Sequence, residues 1–266
     1  MMDIVPKKSL GQIFLKDKNI AEKISSSVND CPEENVIEIG AGKGILTECL
    51  IKKFNKVYAI EIDNKLVDYL KKRFYNDDKL IIIQADFLKL HFDEFVNENE
   101  KVAIAGNIPY NLSSSILFKL FDERKYISKA VLMFQKEVAE RIVCKNKNKG
   151  IISIITQFFG EPELLFDVKR DLFYPVPEVD SSVVKISFYH GERNNIEFDY
   201  PFFKHLVKVA FGKRRKMLKN SLKYIEGLDI KNIEKSFNLQ KRPEELSVVD
   251  FIKLGNIIYK YGFKRN

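Results

Sequence analysis

The segment Gly106–Tyr110 combines residue types that could act on an amine attached to an aromatic ring. It reads Gly-Asn-Ile-Pro-Tyr and directly follows an apolar, β-rich run. The nitrogen of such an amine is a poor nucleophile until acceptors hold its hydrogens and favour a pyramidal geometry. The side-chain oxygen of Asn107 and the carbonyl of Ile108, aimed by the rigid Pro109, could be those acceptors. Tyr110 could stack on the base. The alternative is a strand-to-loop turn with a buried tyrosine.

A glycine-rich turn, Glu38–Gly44, lies between a β-like run and a helical pattern. Gly40 and Gly42 would let the backbone approach a ligand closely and turn tightly into a helix N-terminus. The dinucleotide fingerprint G-x-G-x-x-G would need a glycine where Ile45 stands, which disfavours NAD. The form E-x-G-x-G-x-G instead resembles the first motif of methyltransferases that use S-adenosylmethionine (SAM). A purely structural turn is the alternative.

Two acidic residues follow the next two β-like runs, where a ligand in the crevice of an open sheet would meet them. Glu61 follows Val57–Ile60, and a carboxylate there can accept hydrogen bonds from both hydroxyls of a ribose. Asp86 follows Leu80–Ile83 and could accept from an adenine amino group, with Phe87 available to pack on the ring. Each acid alone is typical of a solvated loop. One acid per strand end after a glycine turn favours a nucleoside site.

Short β-rich runs alternate with helical patterns through the first two thirds of the chain. The runs are typical of buried parallel strands, whereas Ile45–Lys53 and Asn64–Phe74 have helical spacing. This order predicts an α/β fold with a Rossmann-like, doubly wound sheet. Two later runs, Glu163–Val168 and Ser182–Phe188, are expected to close the sheet. The earlier predicted strands are Val36–Ile39, Val57–Ile60, Leu80–Ile83, Val102–Ala105 and Ala130–Phe134.

After about residue 190 the pattern becomes helical, which predicts a small, all-helical second domain. We therefore expect one domain at residues 1–190, carrying the ligand site, and a helical domain at residues 191–266. Arg242–Glu245 is typical of a helix boundary. The predicted helices are Phe203–Ala210, Lys216–Tyr224, Ile230–Phe237 and Val248–Tyr259.

The net charge of +8 on the 266 residues is unevenly distributed. Residues 1–184 carry 27 basic and 28 acidic side chains, whereas residues 185–266 carry 18 and 9, net +9. A near-neutral body with a basic appendage indicates a polyanionic partner, either nucleic acid or an anionic membrane surface. Solvated helix faces that are rich in lysine are the alternative.

The three cysteines, Cys31, Cys49 and Cys144, are widely spaced and lack a C-x-x-C pattern or a histidine at metal-ligand spacing. We interpret them as reduced thiols of a cytoplasmic protein and predict no metal site. The segment Met1–Lys18 has no apolar stretch typical of a signal peptide, and Ile151–Phe159 is too short and too polar to span a membrane. The sequence thus favours a protein that is not in a membrane.

Six motifs in order resemble the signatures of the KsgA family, and they cover nearly the whole chain. The resemblance implies SAM as cofactor and the dimethylation of two adjacent adenosines near the 3′ end of small-subunit ribosomal RNA (rRNA). The first domain would then be the catalytic methyltransferase domain and the second an rRNA-binding domain. The motifs are Lys8–Leu15, the glycine turn, Asn107–Asn111, Phe134–Arg141, Phe173–Ser181 and Phe211–Leu222.

The resemblance also assigns roles to individual residues. The positions that match SAM contacts of the family are Leu15, Gly40, Glu61, Asp86 and Asn107. Position 13 is usually Asn or His in the family and is Ile13 here, so a main-chain contact would survive but a side-chain hydrogen bond could not. Tyr110 and Phe173 match the two aromatic residues expected to sandwich the target adenine. A packed loop anchor is the alternative for Phe173.

The basic stretch around Arg214, Arg215, Lys216 and Lys219 is the candidate RNA-binding surface. Such side chains would neutralise phosphates without reading the base sequence. A solvated helix face is the alternative for any one of them. Lys7 and Lys8 would either extend this surface or belong to a flexible basic N-terminus.

Two other functions remain open. The Erm type of antibiotic-resistance methyltransferase shares the fold and N-I-P-Y but modifies a large-subunit adenosine. Gln135–Arg141 and Val179–Ser181 match the KsgA pattern, whereas Erm enzymes typically carry Val-Asn-Ser in the second. The other alternative is a non-catalytic RNA-binding assembly factor. The favoured partner is rRNA within an immature small subunit, bound by a monomer.

Overall fold

The computed structural model describes residues 5–29, 35–97, 100–146, 149–190, 195–225 and 227–262. The chain forms two compact units. The first contains Met1–Glu140 and Gly160–His190, and the second contains Arg141–Phe159 and Gly191–Asn266. Cys31 lies outside the described residues.

A seven-stranded sheet forms the centre of the first unit, with strand order β4-β3-β2-β5-β6-β9-β7. Strands β2 to β6 run parallel to one another, whereas β9 is antiparallel to both of its neighbours, β6 and β7. The order reverses direction between β2 and β5, so a crevice opens there at the carboxyl ends of these strands. The strands of the chain are β1 (Phe14–Leu15), β2 (Asn35–Ile39), β3 (Lys56–Glu61), β4 (Leu80–Gln84), β5 (Val102–Asn107), β6 (Ile127–Gln135), β7 (Gly160–Val168), β8 (Phe173–Tyr174) and β9 (Ser181–Phe188).

Helices pack against this sheet, which explains why its central strands are apolar on both faces. Every residue of β2 is buried, as are the first five residues of β5. Strands buried in this way show continuous apolar runs rather than alternation. The helices here are α1 (Lys18–Val28), α2 (Ile45–Ile51), α3 (Asn64–Arg73), α4 (Ser113–Asp122) and α5 (Lys136–Val143), the last of which ends in the second unit. The predicted α/β fold is confirmed, and the predicted helices at 45–53 and 64–74 are each slightly shorter in the structure.

The small antiparallel pair β1 and β8 lies apart from the main sheet. Leu15 pairs with Phe173 and Phe14 with Tyr174. This pairing ties the N-terminal segment to the segment that precedes β9. Strands of two residues are too short to show a periodic pattern, so β1 and β8 were not predicted from the sequence.

The second unit is helical, as expected, with an aromatic core. The ring of Phe203 stacks on Phe158 at 4.0 Å and on Phe198 at 5.6 Å between centroids. Gly255 makes room for Phe198, because a Cβ at residue 255 would come within 2.5 Å of that ring. The helices are α6 (Ile151–Phe159), α7 (Tyr200–Phe211), α8 (Leu218–Leu222), α9 (Ile230–Ser236) and α10 (Val248–Gly262).

The predicted division at residue 190 differs from the observed one. Arg141–Phe159 belongs to the second unit, whereas the single cut assigned it to the first domain. The physical reason is that α6 contributes Phe158 to the aromatic core around Phe203. Residues 141–159 complete the helical unit although they are distant from it in sequence. The change from alternating to helical pattern near residue 190 cannot reveal such a contribution.

Among the described residues, no helix is long and apolar enough to cross a membrane.

Candidate active site

A cavity of about 230 Å³ lies at the carboxyl ends of β2, β3, β4 and β5 in the first unit. It is lined by the glycine turn, by the acids that follow the next two strands, and by the N-I-P-Y segment. All predicted catalytic and cofactor-binding residues line it except Phe173. Those that do are Ile13, Leu15, Gly40, Gly42, Glu61, Asp86, Phe87, Asn107, Pro109 and Tyr110.

The glycine turn forms one wall of the cavity with left-handed backbone. Gly40, Gly42 and Gly44 have φ of 70°, 56° and 75°, a region that side chains with a Cβ rarely adopt. The Gly40 N–H donates to the carbonyl of Ile60 at 2.9 Å. A Cβ at Gly42 would come within 3.2 Å of the Phe14 ring. The turn thus needs glycine both for its conformation and for its close approach to the N-terminal segment.

Glu61 is buried and its carboxylate is held by main-chain donors. Its Oε2 accepts from the Gly42 N–H, and its Oε1 accepts from the N–H groups of Ile62 and Asp63, each at 2.9 Å. Burial raises the pKa of Glu61, although these hydrogen bonds oppose the rise. The remaining lone pairs can accept from a ligand that carries adjacent hydroxyls.

Asp86 is held in a similar way at the end of β4. Its Oδ1 accepts from the Leu88 N–H at 3.0 Å and caps the short 3₁₀ turn Phe87–Lys89. Phe87 is only 6% exposed, and its ring packs at 6.0 Å against Phe92. Phe87 is therefore a packed wall of the cavity, and Asp86 keeps an oxygen that can accept from an amine.

The Asn107 amide is oriented by a main-chain group from the N-terminal segment. Its Nδ2 donates to the carbonyl oxygen of Ile13 at 2.8 Å. The bond uses the amide's donor end and leaves Oδ1 to accept from a ligand amine. The side chain of Ile13 packs against the core cluster of the unit. Position 13 therefore orients Asn107 through its main chain, while its side chain packs against the core.

The hydroxyl of Tyr110 is also fixed. It forms a hydrogen bond of 2.7 Å with Oγ of Ser181, which is fully buried at the start of β9. Burial raises the pKa of Tyr110, so the phenol is neutral at physiological pH. From the sequence, Ser181 was identified only as part of a motif, and no contact was predicted for it.

An ionic network that the sequence analysis missed anchors the N-terminal segment beside the cavity. Lys7 Nζ donates to Asp63 Oδ1 at 2.8 Å, and Gln12 Nε2 donates to Asp63 Oδ2 at 3.0 Å. The Asp63 side chain is only 2% exposed. Burial by itself raises its pKa, but the hydrogen bonds from Lys7, Gln12 and the Lys65 N–H hold that pKa below its usual range. Lys7 therefore belongs to this network. Asp63 could have been identified from the sequence as the N-cap residue directly before α3.

A second missed residue is Glu38, which is 1% exposed and also lines the cavity. Thr47 Oγ1 donates to its Oε2 at 2.5 Å. Burial raises the pKa of Glu38 to about 8, the Thr47 hydrogen bond opposes this rise, and the charge of Glu61 adds to it. Glu38 is therefore largely protonated at neutral pH and adds little negative charge beside Glu61.

Phe173 does not line the cavity, which corrects the expectation that its ring faces the target base. Its side chain is fully buried in the core cluster of the first unit. Successive residues of a strand point to opposite faces, and in β8 it is Tyr174 that is exposed, at 53%. The role of loop anchor, left open by the sequence, fits this position.

Two of the four predicted RNA-binding side chains are paired with acids. Arg214 Nε contacts Glu244 Oε2, and Lys219 Nζ contacts Glu234 Oε1, both at 2.8 Å. Arg215 and Lys216 are exposed. All four lie in the second unit, on or just before α8.

The cavity fits a nucleoside-containing cofactor, and the arrangement defines a class of protein. The left-handed glycines, the oriented Glu61 and the Asp86 oxygen would hold SAM, which supplies an electrophilic methyl group when bound. Beside them, Asn107 and the Ile108 carbonyl can hold an amine. A doubly wound sheet with this site defines a SAM-dependent methyltransferase that acts on amines.

Comparison with known proteins identifies the family. The sequence model of the family described as "Ribosomal RNA adenine dimethylase" matches residues 5–260. Ribosomal RNA small subunit methyltransferase A of Bacteroides fragilis is 40% identical over 256 residues, which cover 95% of this chain and 92% of that protein. The chain belongs to the ribosomal RNA adenine dimethylase family and is a SAM-dependent rRNA adenine dimethyltransferase.

Two solved structures share the fold. A dimethyladenosine transferase from Plasmodium falciparum is 28% identical with a TM-score of 0.77, and the match covers 93% of this chain and 98% of that one. The 23S rRNA methyltransferase ErmE is 22% identical with a TM-score of 0.71, over 92% and 98% of the two chains. At that identity the likeness to ErmE shows the fold alone.

Proposed function

We propose that this chain dimethylates N6 of two adjacent adenosines near the 3′ end of small-subunit rRNA, acting as a monomer on an immature small subunit in the cytoplasm. The observation that carries the proposal is the Asn107 amide, whose donor end is bound to the Ile13 carbonyl and whose oxygen is available at the cavity. The small-subunit name of the 40% identical relative supports the choice of RNA.

Each side chain has a defined part in this proposal. Gly40, Gly42 and Leu15 form the walls against SAM, Glu61 accepts from its ribose hydroxyls, and Asp86 accepts from its adenine amino group. Main-chain N–H groups orient the carboxylates of both Glu61 and Asp86 in advance, which reduces the entropy lost on binding.

The target adenine is positioned by the N-I-P-Y segment. Tyr110 stacks on the extruded base, while Asn107 Oδ1 and the Ile108 carbonyl accept the hydrogens of the amine. Pro109 fixes the direction of that carbonyl. The amine becomes acidic as it gains the methyl group and releases a proton to water, so no strong general base is required.

Two motifs that differ from the Erm pattern contribute to ion pairs next to β9. Asp180 accepts from Lys169 Nζ at 2.9 Å and from the Arg170 N–H at 3.0 Å. Lys136 donates to Asp167 at 2.6 Å. The asparagine typical of Erm enzymes at position 180 would lose the charged contact with Lys169. The motifs that distinguish the KsgA family from Erm enzymes therefore supply side chains, Lys136 and Asp180, that form ion pairs in this chain.

The proposal is tested by incubating the purified protein with labelled SAM and separated small and large subunits that lack the modification. We expect label in small-subunit RNA, recovered as dimethyladenosine. Label in large-subunit RNA alone would overturn the proposal in favour of the Erm alternative. Asn107→Ala serves as the control variant: it should retain much of the SAM binding but transfer no methyl group. Equal transfer by this variant would show that Asn107 does not orient the amine.

A further inference from the structure

Asp180, the residue before Ser181, is held by three hydrogen bonds. Its Oδ1 accepts from the Arg170 N–H at 3.0 Å, and its Oδ2 accepts from Lys169 Nζ at 2.9 Å. Its carbonyl oxygen accepts from the Lys136 N–H at 3.0 Å. These bonds join the residues that follow β6 and β7 to the residue that precedes β9.

The three bonds lie at an end of the sheet. Ser181 is the first residue of β9, and it pairs with Gln135 and Val168, the last residues of β6 and β7. The described residues 175–180 form neither helix nor strand. The end of a strand opens more readily than its middle, because ladder neighbours are present on one side only. Asp180 therefore supports β9 at the end where Ser181 lies.

Ser181 in turn fixes the side chain of Tyr110. The two hydroxyl groups form a hydrogen bond of 2.7 Å, and Ser181 is fully buried. A tyrosine side chain has two main rotatable bonds, so anchoring its hydroxyl group also fixes the plane of the ring. Asp180 is thus linked to Tyr110 through one intervening residue.

A second observation places the Asp180 carboxylate near Tyr110. The hydrogen bonds from Lys169 and from the Arg170 N–H hold the pKa of Asp180 below its usual range, so the carboxylate is charged at physiological pH. Burial is the main cause of the raised pKa of Tyr110, and the charge of Asp180 adds to the rise. Such an effect requires the two groups to be close to one another.

The two side-chain contacts of Asp180 differ in how firmly they hold it. The Lys169 side chain is 74% exposed, and an exposed ion pair contributes little because water screens the charges and the long side chain loses entropy. The Arg170 N–H is a main-chain donor with a fixed direction. The Arg170 guanidinium also donates to the carbonyl oxygen of Glu178 at 3.0 Å, which ties residue 170 to the same loop. The Arg170 N–H is therefore the contact that fixes Asp180.

We propose that Asp180 is a positioning residue for methyl transfer, an inference that rests on the proposed function. By accepting from the Arg170 N–H, Asp180 holds Ser181 in place, and Ser181 holds the Tyr110 ring against the target base. The position of the acceptor oxygen produces this effect, and the negative charge contributes little. Among the described residues that line the SAM cavity, neither Asp180 nor Ser181 is present, so the affinity for SAM does not depend on them.

Two substitutions separate the position of the acceptor oxygen from the charge. Asp180→Asn keeps an acceptor at the same place and removes the charge, so kcat should stay within about twofold of the wild type. Asp180→Glu keeps the charge and moves the carboxylate by one methylene, so kcat should fall about threefold to fivefold, as for the loss of one hydrogen bond. Both variants should bind SAM like the wild type. Single-turnover and steady-state methyl transfer to immature small subunits measures kcat, and calorimetry measures SAM binding.

A double-mutant cycle tests whether Asp180 acts through Ser181. In the Ser181→Ala background the Tyr110 hydroxyl has already lost its partner, so Asp180→Glu should change kcat less than about 1.5-fold. A merely structural role would give the same reduction in both backgrounds. Asp167→Glu is the matched control, because Asp167 is also an exposed aspartate beside β9 but accepts from the hydroxyl of Ser182. Its kcat should equal that of the wild type.

Four outcomes would overturn the proposal, with folding of each variant verified by thermal unfolding. They are a wild-type kcat in Asp180→Glu, equal reductions by Asp180→Asn and Asp180→Glu, equal reductions by Asp180→Glu with and without Ser181, and an equally large reduction by Asp167→Glu. The ratios are taken on whichever rRNA the wild-type protein labels. A failure here is therefore distinguishable from a failure of the proposed function, which depends on which rRNA receives the label.

Discussion

At the scale of single residues, the cavity relies on groups that are oriented by partners distant in the chain. Asn107 is held by Ile13, 94 residues away, and Tyr110 by Ser181, 71 residues away. Each partner fixes one end of a side chain and leaves the other end directed to the ligand. Orienting a polar group in advance lowers the cost of ordering it during the reaction.

We expect Ser181→Ala to slow methyl transfer about fivefold while the affinity for SAM stays unchanged. The variant frees the Tyr110 hydroxyl, and one neutral hydrogen bond contributes about 1 kcal/mol. Ser182→Ala is the matched control, because Ser182 is also fully buried in β9 but bonds Asp167 instead, at 2.7 Å. The readout is kcat in single-turnover and steady-state assays, with SAM binding measured by calorimetry. Equal kcat values in the two variants would contradict the positioning role of Ser181.

The buried acid Glu38 should make stability depend on pH. Its pKa in the folded chain is about 8, against an ordinary value of 4.5 for a glutamate in the unfolded chain. Between these pH values the folded chain retains a proton that the unfolded chain has lost, so the free energy of unfolding falls as pH rises. Above about pH 8 both states are ionised and this contribution becomes constant.

Glu38→Gln should therefore remove the part of the pH dependence that lies between pH 4.5 and 8. The amide can still accept from Thr47 and carries no charge at any pH. Urea unfolding at several pH values in this range measures the effect, and the variant should gain stability relative to wild type as pH rises. Glu48→Gln is the control, since Glu48 is only partly buried and its hydrogen bonds and ion pairs with Lys18 and Arg73 lower its pKa. A constant difference between Glu38→Gln and wild type would contradict the assignment.

At the scale of elements, the N-terminal segment matters because it supplies both a wall and a partner to the cavity. Residues Ser9–Leu15 line it, and the carbonyl of Ile13 orients Asn107. The segment has little regular structure beyond one 3₁₀ turn and the two-residue strand β1. Its position depends on the pairing of β1 with β8 and on the contacts of Lys7 and Gln12 with Asp63.

We expect Lys7→Ala to speed the dissociation of SAM several-fold, because the segment that closes one side of the cavity loses an ion pair to a buried carboxylate. Lys8→Ala is the matched control: Lys8 is the next residue, is exposed, and makes no ion pair among the described residues. Stopped-flow displacement of SAM measures the dissociation rate. Equal rates in Lys7→Ala and Lys8→Ala would show that the ion pair does not hold the segment in place.

At the scale of the whole molecule, the excess of basic side chains and the cofactor cavity lie in different parts of the chain. Residues 185–266 carry 18 basic and 9 acidic side chains, whereas the SAM cavity lies in the first unit. The cavity offers a few main-chain-oriented polar groups to SAM. Most of the basic excess lies in the second unit.

This division predicts different responses of the two ligands to salt. Between about 50 and 200 mM salt the affinity for RNA should fall at least about tenfold, because phosphate contacts release counterions. The affinity for SAM should change less than about twofold over the same range. Filter binding for RNA and calorimetry for SAM measure the two responses. A steep dependence for SAM would mean that the cavity binds its ligand mainly through charge.

Much of this organisation follows from local sequence. Apolar runs bounded by turn residues predicted the strands β2 to β6, and the glycine turn, Glu61, Asp86 and Asn107 fall at strand ends whatever the details of packing. These residues meet in one cavity because parallel strands place their carboxyl ends along the same edge of a sheet. The helical period after residue 190 likewise predicted α7 to α10, with α8 shorter than expected.

Only the tertiary structure decided the rest, because it depends on contacts between segments that are far apart in the chain. Local pattern cannot show that Phe173 points into the core and Tyr174 away from it, since either face of a two-residue strand is possible. Nor can it show that α6 completes the aromatic core of the second unit, that burial raises the pKa of Glu38, or that Ile13 and Ser181 orient Asn107 and Tyr110. The sequence determined which groups lie at the site, and packing determined which way each of them faces.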